Sequence, residues 1–144
     1  METVSARLDR IVGEFADLDG RDKLELLVEF AAGLPPLPES HRARRDEAEG
    51  RVHECQTPVF LWPEVVDGRA RLVAEVAPEA PTVKGFVAMV AQAVEGRPAE
   101  EAAALGEDFL DRTGLADVLG ILRSRGLRAI LARVKRGLLA GAQA

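Results

Sequence analysis

A single cysteine is the residue best suited to chemistry in this sequence. Cys55 lies in the segment 51–58, just before a predicted strand, so we place it in a turn where the thiol is accessible. A thiolate is a competent nucleophile, and a free cysteine with a pKa of about 8.5 is ionised to a few per cent at neutral pH. That fraction is enough for attack on a sulfur electrophile. Free cysteine is also among the most buried residue types, so its position fits a purely structural role equally well.

The two residues before the thiol would act on its pKa in opposite directions. His53 lies two positions before Cys55, so in an extended chain both side chains would point to the same side. There the imidazole would lower the pKa of the thiol or relay a proton, unless His53 is a plain strand residue with a satisfied ring. Glu54 would raise the thiol pKa, because a neighbouring carboxylate disfavours a thiolate. The sequence leaves the pKa of Cys55 open.

Two further positions break local helix rules. Apolar spacing puts Arg125 in the first turn of the last predicted helix, where the helix dipole disfavours a cation, and Gly126 follows it. Such a break indicates either a functional site or a simple ion pair with an acidic residue. Lys84 and Gly85 form a similar cation–glycine pair, in which the glycine indicates close packing against another backbone.

Composition excludes several classes of function. The 144 residues predict one domain spanning 1–144. Lys plus Arg number 19 against 24 Asp plus Glu, and the net charge of -5 argues against nucleic acid as a partner. One cysteine allows neither an internal disulfide nor a thiolate metal site, so we expect no metal. The longest stretch without a charged residue runs from Gly85 to Val94, too short for a membrane span, and we expect a cytoplasmic protein.

The elements that must position the thiol follow from hydrophobic spacing. Helical stripes predict a helix from about Thr3 to Phe15 and a second one that Asp22 caps and Gly33 ends. A Pro-rich connector and a charged run, residues 41–49, follow these helices. We expect the run to be either an irregular connection across the domain or a short exposed helix, with its charges on a solvated face. Alternation on both sides of Asp67-Gly68 then predicts a β-hairpin with one covered face.

Helical spacing returns after the hairpin. Thr82 is the predicted cap of a helix that ends at Gly96, short helices follow at Pro98 and at 107–112, and the last helix begins after Ser124. Strands grouped between helices indicate an α+β domain, with a small antiparallel sheet packed against flanking helices.

Four motifs in chain order resemble the SufE family of sulfur-acceptor proteins. They are Cys55-Gln56 followed by a small hydroxyl residue and an apolar strand ending in Trp62, the Pro-rich stretch 34–38, Val83-Lys84-Gly85-Phe86, and Ser124-Arg125-Gly126-Leu127. The resemblance covers nearly the whole chain. It implies a fold similar to that of the iron–sulfur scaffold IscU, and the role of a bacterial sulfur carrier.

The resemblance also implies a partner and roles for single residues. The partner is a SufS-like cysteine desulfurase, which holds the PLP, so this chain needs no cofactor of its own; a cluster scaffold is a second partner, and the chain is a monomer or weak homodimer. Cys55 accepts sulfane sulfur from the desulfurase persulfide, and Gln56 shapes its loop. Arg125 is a conformational or docking residue. The remaining assigned residues are His53 and Glu54 as supporting groups, and Thr57, Lys84, Gly85 and Gly126 as partner-binding residues.

The chain departs from the family pattern beside the thiol and in the last helix. Glu54 replaces the usual glycine before the cysteine, and no asparagine separates Arg125 from Gly126, so Arg123 is a second candidate for the family arginine. Two alternatives stay open. One is a thiol enzyme that uses His53 or His41 as its base, and the other is a binding module in which Cys55 is structural.

Overall fold

Seven helices and two strands make up the computed structural model, which describes residues 2–144. Both strands lie in the middle of the chain, between the third and fourth helices. This order confirms the predicted α+β class. The elements are α1 (Val4–Phe15), α2 (Gly20–Ala31), α3 (Glu39–Asp46), β1 (Val59–Val66), β2 (Arg69–Val76), α4 (Pro81–Val94), α5 (Ala99–Ala103), α6 (Phe109–Arg112) and α7 (Leu115–Ala142).

Two predicted helix caps were wrong. The cap of α2 is Asp19, whose carboxylate accepts a hydrogen bond from the Asp22 backbone N–H at 2.8 Å, so Asp22 lies inside the first turn. Helix α4 begins at Pro81 after Ala80, which places Thr82 at the second helical position. Proline suits the first position because its ring presets the helical φ and it lacks the N–H that would stay unbonded there.

The hairpin forms as predicted, with a tight turn. Asp67 and Gly68 have positive φ angles of 53° and 78°, the backbone that a two-residue turn requires. The Leu61 N–H donates to the Gly50 carbonyl outside the hairpin. The backbone N–H and C=O groups of every second residue of β1, counted from Leu61, therefore point away from β2. Pro63 lies two residues later, opposite Leu72, so its backbone nitrogen also points away from β2. Because proline has no N–H, this position costs the hairpin no hydrogen bond.

Both faces of the hairpin are covered, which corrects the prediction of one. One face joins the main core with α4 and α7. On the other, Trp62 and Val73 pack with Leu37 in a small second cluster, joined by the buried His41. The sequence pattern missed this second cover because it comes from the connector and α3, both distant along the chain.

The charged run 41–49 is therefore more than a solvated face. Residues 41–46 of the run lie in α3, whose His41 is 7% exposed and bonds the Glu64 carboxylate at 3.0 Å. Arg45 makes two 2.9 Å hydrogen bonds to Glu75 on β2. These contacts fix α3 to the hairpin, so the prediction was wrong for the residues that face the sheet.

Helix α7 is the longest element and packs on the sheet through glycines. A Cβ added at Gly137 would lie 2.6 Å from Pro63, and one at Gly141 would lie 2.6 Å from Val65, so only glycine allows this approach. The helix is broken near its start, where Gly120 has φ 85° and ψ 172°. Among residues 2–144, none of the helices has the length and apolar character needed to cross a bilayer.

Candidate functional site

Cys55 lies in a turn that is tied to the start of β1. The Val52 N–H donates to the Val59 carbonyl at 2.9 Å, and the Cys55 N–H donates to the Val52 carbonyl at 3.3 Å. The predicted turn is present, but the predicted accessible thiol is not. The residue is only 8% exposed and forms part of the main core. The site is thus a sheltered thiol on an otherwise exposed turn.

The shelter is provided by α7. Cys55 Sγ lies 3.7 Å from the carbonyl oxygen of Gly126, within range of a weak S–H donation. A Cβ added at Gly126 would lie 3.2 Å from the sulfur, closer than about nine in ten real contacts of a Cβ. Gly126 is helical and has no positive φ, so its backbone does not require glycine. A side chain at position 126 would therefore press on the sulfur itself.

A groove of about 550 Å³ opens beside the thiol. One wall is the cysteine turn with the start of α4, and the other is the part of α7 that follows the break at Gly120. Arg123 and Arg125 lie on the α7 wall, both are exposed, and neither forms an ion pair within the described chain. The lining residues with polar or reactive side chains are Glu54, Cys55, Gln56, Thr57, Glu79, Thr82, Arg123 and Arg125.

The sheltered thiol is protonated at neutral pH. Burial raises the pKa of Cys55, the carboxylate of Glu54 raises it further, and the guanidinium of Arg51 lowers it. A low-dielectric surrounding disfavours the charged form, which is why burial acts first. Moving the sulfur out of the core would remove the largest of these effects. The thiol is therefore inert when seated and gains thiolate character when exposed.

Several predicted site residues line the groove and others do not. Gln56 and Thr57 lie beside the thiol on the turn, while both candidate arginines lie across the groove from it. Lys84 lines a different groove, between β2 and the Pro-rich connector. Gly85 is buried, and a Cβ there would lie 2.0 Å from the Leu27 carbonyl oxygen, so it serves the contact of α4 with α2.

The two histidines do not assemble with the thiol. His53 is exposed in the turn, forms no hydrogen bond with residues 2–144 and does not line the groove, so the prediction that it shares a side with the buried Cys55 was wrong. A turn at 53–54, rather than an extended chain, separates their directions. His41 bonds Ser40 and Glu64 in the second cluster.

Arg125 is not in the first turn of its helix. Helix α7 begins at Leu115 and resumes after Gly120, so Arg125 lies more than one turn beyond the break. The sequence pattern missed this start because Gly120 interrupts the apolar spacing. It also missed Arg51, whose guanidinium lowers the pKa of the thiol. The Nε of Arg51 is buried without a hydrogen bond in the described chain. Its signal was only a basic residue four positions before the cysteine.

The side chains around the thiol do not form a metal site among residues 2–144. In the part of the chain that the structure describes, no three His, Cys, Asp or Glu side chains gather closely enough to hold a metal ion. The groove contains one buried sulfur, has space for a side chain of another molecule, and carries at its rim two guanidinium groups without ion-pair partners in the described chain. No histidine lies beside the thiol in the groove, and this arrangement suits exchange of a sulfur atom with another molecule.

Comparison with known proteins agrees with this geometry. A family profile described as SufE: Fe-S metabolism associated domain matches residues 9–138. Two SufE-like proteins from Mycobacterium tuberculosis strains are 44% identical over 137 residues, covering 94% of each chain. A SufE-like protein of Rhizobium etli is 31% identical over 134 residues, which cover 90% of this chain and 88% of that protein. The solution structure of a hypothetical protein from Thermus thermophilus superimposes over the full length of both chains with a TM-score of 0.83 and 32% identity.

Proposed function

This chain belongs to the SufE family, whose domain is associated with Fe-S metabolism, and from that premise we propose that Cys55 is a sulfur acceptor. It takes sulfane sulfur from the persulfide of a PLP-dependent cysteine desulfurase, stimulates that enzyme by clearing its sulfur, and passes the atom on for iron–sulfur cluster assembly. The observation that carries the proposal is the single thiol at the wall of an open groove with no histidine beside it.

The transfer is a thiol–persulfide exchange that needs no oxidant. The Cys55 thiolate attacks the outer sulfur of the donor persulfide, and a new S–S bond forms as the S–S bond of the donor breaks. The electron pair leaves on the inner sulfur of the donor, which takes up the proton that Cys55 released. One sulfur atom moves, and the number of thiols and persulfides is unchanged.

The seated thiol must move before it reacts. Cys55 is only 8% exposed, whereas its neighbours Glu54 and Gln56 are exposed, so we expect the turn to move before the sulfur meets a sulfur atom held by another protein. Movement of the turn would carry Cys55 out of the core and lower its pKa by rehydration. Shelter in the absence of a donor would also protect the thiol from oxidation, because oxidation follows thiolate character and exposure.

The test is intact mass after incubation with a cysteine desulfurase and cysteine. We expect a gain of one or more sulfur atoms that a reductant removes and that Cys55→Ser lacks, together with faster sulfide release by the desulfurase. The absence of both adduct and stimulation would refute the proposal. The burial of Cys55 favours one other candidate, a binding module with a structural cysteine. That candidate predicts no adduct and no loss of function in Cys55→Ala.

A further inference from the structure

The outer edge of β2 carries backbone groups that no strand pairs. Near the start of this edge, the Ala70 N–H donates to the Arg97 carbonyl at 2.8 Å, and the Ala70 carbonyl accepts from the Gly96 N–H at 2.9 Å. Leu72 and Ala74 lie two and four residues further along β2, so their N–H and carbonyl groups point to the same edge. Neither backbone forms a hydrogen bond there with residues 2–144. An edge of this kind is a template for a further strand.

A groove of about 460 Å³ opens along this edge, and we call it the edge groove. Residues 71–74 of β2 line it together with the Pro-rich connector and α4. From α4, Ala88 and Ala91 contribute small side chains, which leave room for a second backbone beside β2. The connector cannot complete the sheet at Pro35 and Pro36, because proline has no N–H to donate to a β2 carbonyl. The edge groove shares no lining residue with the groove of Cys55, so it is a separate site.

The charges of the edge groove favour an acidic ligand. Arg71 is exposed and forms no ion pair among residues 2–144. Arg7 donates to three backbone carbonyls at the end of α4, at 2.8–3.3 Å, and has no carboxylate partner in the described chain. Glu95 is the one acidic residue that lines the groove. Two guanidinium groups therefore outnumber one carboxylate, in a chain whose net charge is -5.

The groove that Lys84 lines continues this pattern along β2. It shares residues 34–36 and Ala74 with the edge groove. Arg42 and Lys84 line it, and neither forms an ion pair within the part of the chain that the structure describes. Its acidic residue, Glu75, is already paired with an arginine at 2.9 Å. A ligand that extends past the edge groove would thus meet further positive charge.

We propose that the edge groove binds an extended acidic segment of another protein, which adds a strand to β2. The free N–H and carbonyl groups of Leu72 and Ala74 would hold the backbone of that segment, as in other proteins that bind a peptide at a sheet edge. Its carboxylates would lie near Arg71 and Arg7. Residues 71–74 span about 13 Å at roughly 3.3 Å per residue, so three or four residues of the segment would pair directly.

The surroundings of the edge favour a single strand over a second copy of this chain. For two copies to pair, each β2 edge would have to reach the other, yet each lies beside the connector and α4 of its own chain. A flexible segment has no such neighbours and can enter alone. Acidic segments of low hydrophobicity are commonly disordered before they bind, which suits this entry. Because the site is separate from Cys55, the inference does not depend on sulfur transfer.

The test is the binding of dye-labelled peptides, measured by fluorescence anisotropy. The probe is an octapeptide of alternating valine and glutamate, and its matched control has lysine in place of each glutamate. We expect the probe to bind saturably and about tenfold or more tightly than the lysine peptide, because the groove charges complement only the first. Absence of saturable binding by the probe, or equal binding of the two peptides, would overturn the inference.

Backbone methylation separates strand pairing from simple charge attraction. Methylation of the valine nitrogens removes the N–H donors along one edge of the extended probe, and methylation of the glutamate nitrogens removes those along the other edge. Only one edge can pair with β2, so we expect one methylated form to lose binding and the other to keep it. Equal affinity of the two methylated forms would overturn the inference.

Two variants of the protein locate the site. Arg71→Glu and Arg136→Glu make the same change of charge, the first in the edge groove and the second at an exposed position of α7 that lines neither groove along β2. We expect the first to weaken binding of the probe by about tenfold and the second to leave it within about twofold. Equal binding by the two variants would overturn the inference. If Arg71→Glu fails to fold, by thermal unfolding, Ala91→Phe replaces it by filling the groove, with the same expected loss.

Amide hydrogen exchange reads the edge itself. The amides of Leu72 and Ala74 should become protected when the probe binds, whereas that of Val73, which points toward β1, should be protected with and without the probe. Unchanged exchange at Leu72 and Ala74 in the presence of saturating probe would overturn the inference. A wild-type dimer in sedimentation that Ala91→Phe abolishes would also overturn it, because a second copy would then be the occupant.

Discussion

Replacing Gly126 with alanine tests whether α7 holds the thiol in its seat. The new Cβ would lie 3.2 Å from Cys55 Sγ, so the sulfur must yield by a few tenths of an ångström or leave. A side chain pushed off its preferred rotamer by such a contact is strained by roughly 0.5–1.5 kcal/mol. At the same time, alanine in a helix interior is more favourable than glycine by about 1 kcal/mol.

The same strain should appear in two independent measurements. Let x be the strain energy that the new methyl group imposes on the buried Cys55 side chain. The free energy of unfolding of Gly126→Ala should then exceed that of the wild type by the alanine-over-glycine helix preference minus x. Reaction through the displaced thiol should accelerate by the factor that corresponds to x, which is about two- to twelvefold for the range above. We therefore expect faster alkylation of Cys55 by iodoacetamide, followed by mass spectrometry at neutral pH under excess reagent.

Gly13→Ala supplies the matched control. Gly13 lies in α1, and a Cβ there would meet nothing within 4 Å. It should show the full helix gain of about 1 kcal/mol in urea unfolding and no change in the alkylation rate. The difference in stability between the two variants gives x directly, and the alkylation ratio must match it.

Two results would refute this reasoning. An alkylation rate in Gly126→Ala equal to that of the wild type would show that α7 at Gly126 does not confine the sulfur. A rate increase with no shortfall in stability relative to Gly13→Ala would show that the thiol is released by some means other than contact with the new methyl group.

Three other predictions concern charge and packing. Glu54→Gln should speed alkylation of Cys55 at neutral pH, because it removes a carboxylate that raises the thiol pKa; an unchanged rate would show that the carboxylate has no such effect. Gly85→Ala should lower the free energy of unfolding in urea by about 1–3 kcal/mol or more, since a Cβ would lie 2.0 Å from the Leu27 carbonyl, and equal stability would contradict that packing. The Arg97 guanidinium, followed by the Val4 backbone N–H, lowers the pKa of Glu101 to about 2 from 4.5, so the stabilisation by these contacts is present above pH 4.5 and is lost as pH falls toward 2. Thermal unfolding of Glu101→Gln should therefore show lower stability at neutral pH and a weaker fall across that range; a profile parallel to the wild type would contradict it.

Features set by neighbouring residues could be predicted from the sequence. The hairpin follows from Asp67-Gly68 between two alternating runs, and the first helix follows from its apolar spacing. Both depend on interactions within a few residues. The predicted caps Asp22 and Thr82 were wrong, since the type of residue at a position does not say which backbone amide its side chain meets.

Features set by distant parts of the chain could not be predicted. The turn that holds Cys55 was local and was predicted, but its burial depends on Gly126, which lies 71 residues further along the chain. Likewise, the exposure of Ile121 and Leu122 depends on which face of α7 packs against the core after the break at Gly120. The apolar type of Ile121 and Leu122 favours burial, whereas the structure exposes both side chains.

The glycines of α7 constrain the length of the chain as well as its composition. Gly126 faces the cysteine sulfur, Gly137 faces Pro63 and Gly141 faces Val65, and about three helical turns separate the first from the second. Each residue advances the helix by about 100°. One inserted or deleted residue between Gly126 and Gly137 would therefore rotate one glycine away from its contact, with Cys55 or with Pro63, while the other contact stayed in place. Substitutions on the outer face of that stretch leave this alignment intact, whereas a change of length by one residue would separate the thiol seat from the sheet that supports it.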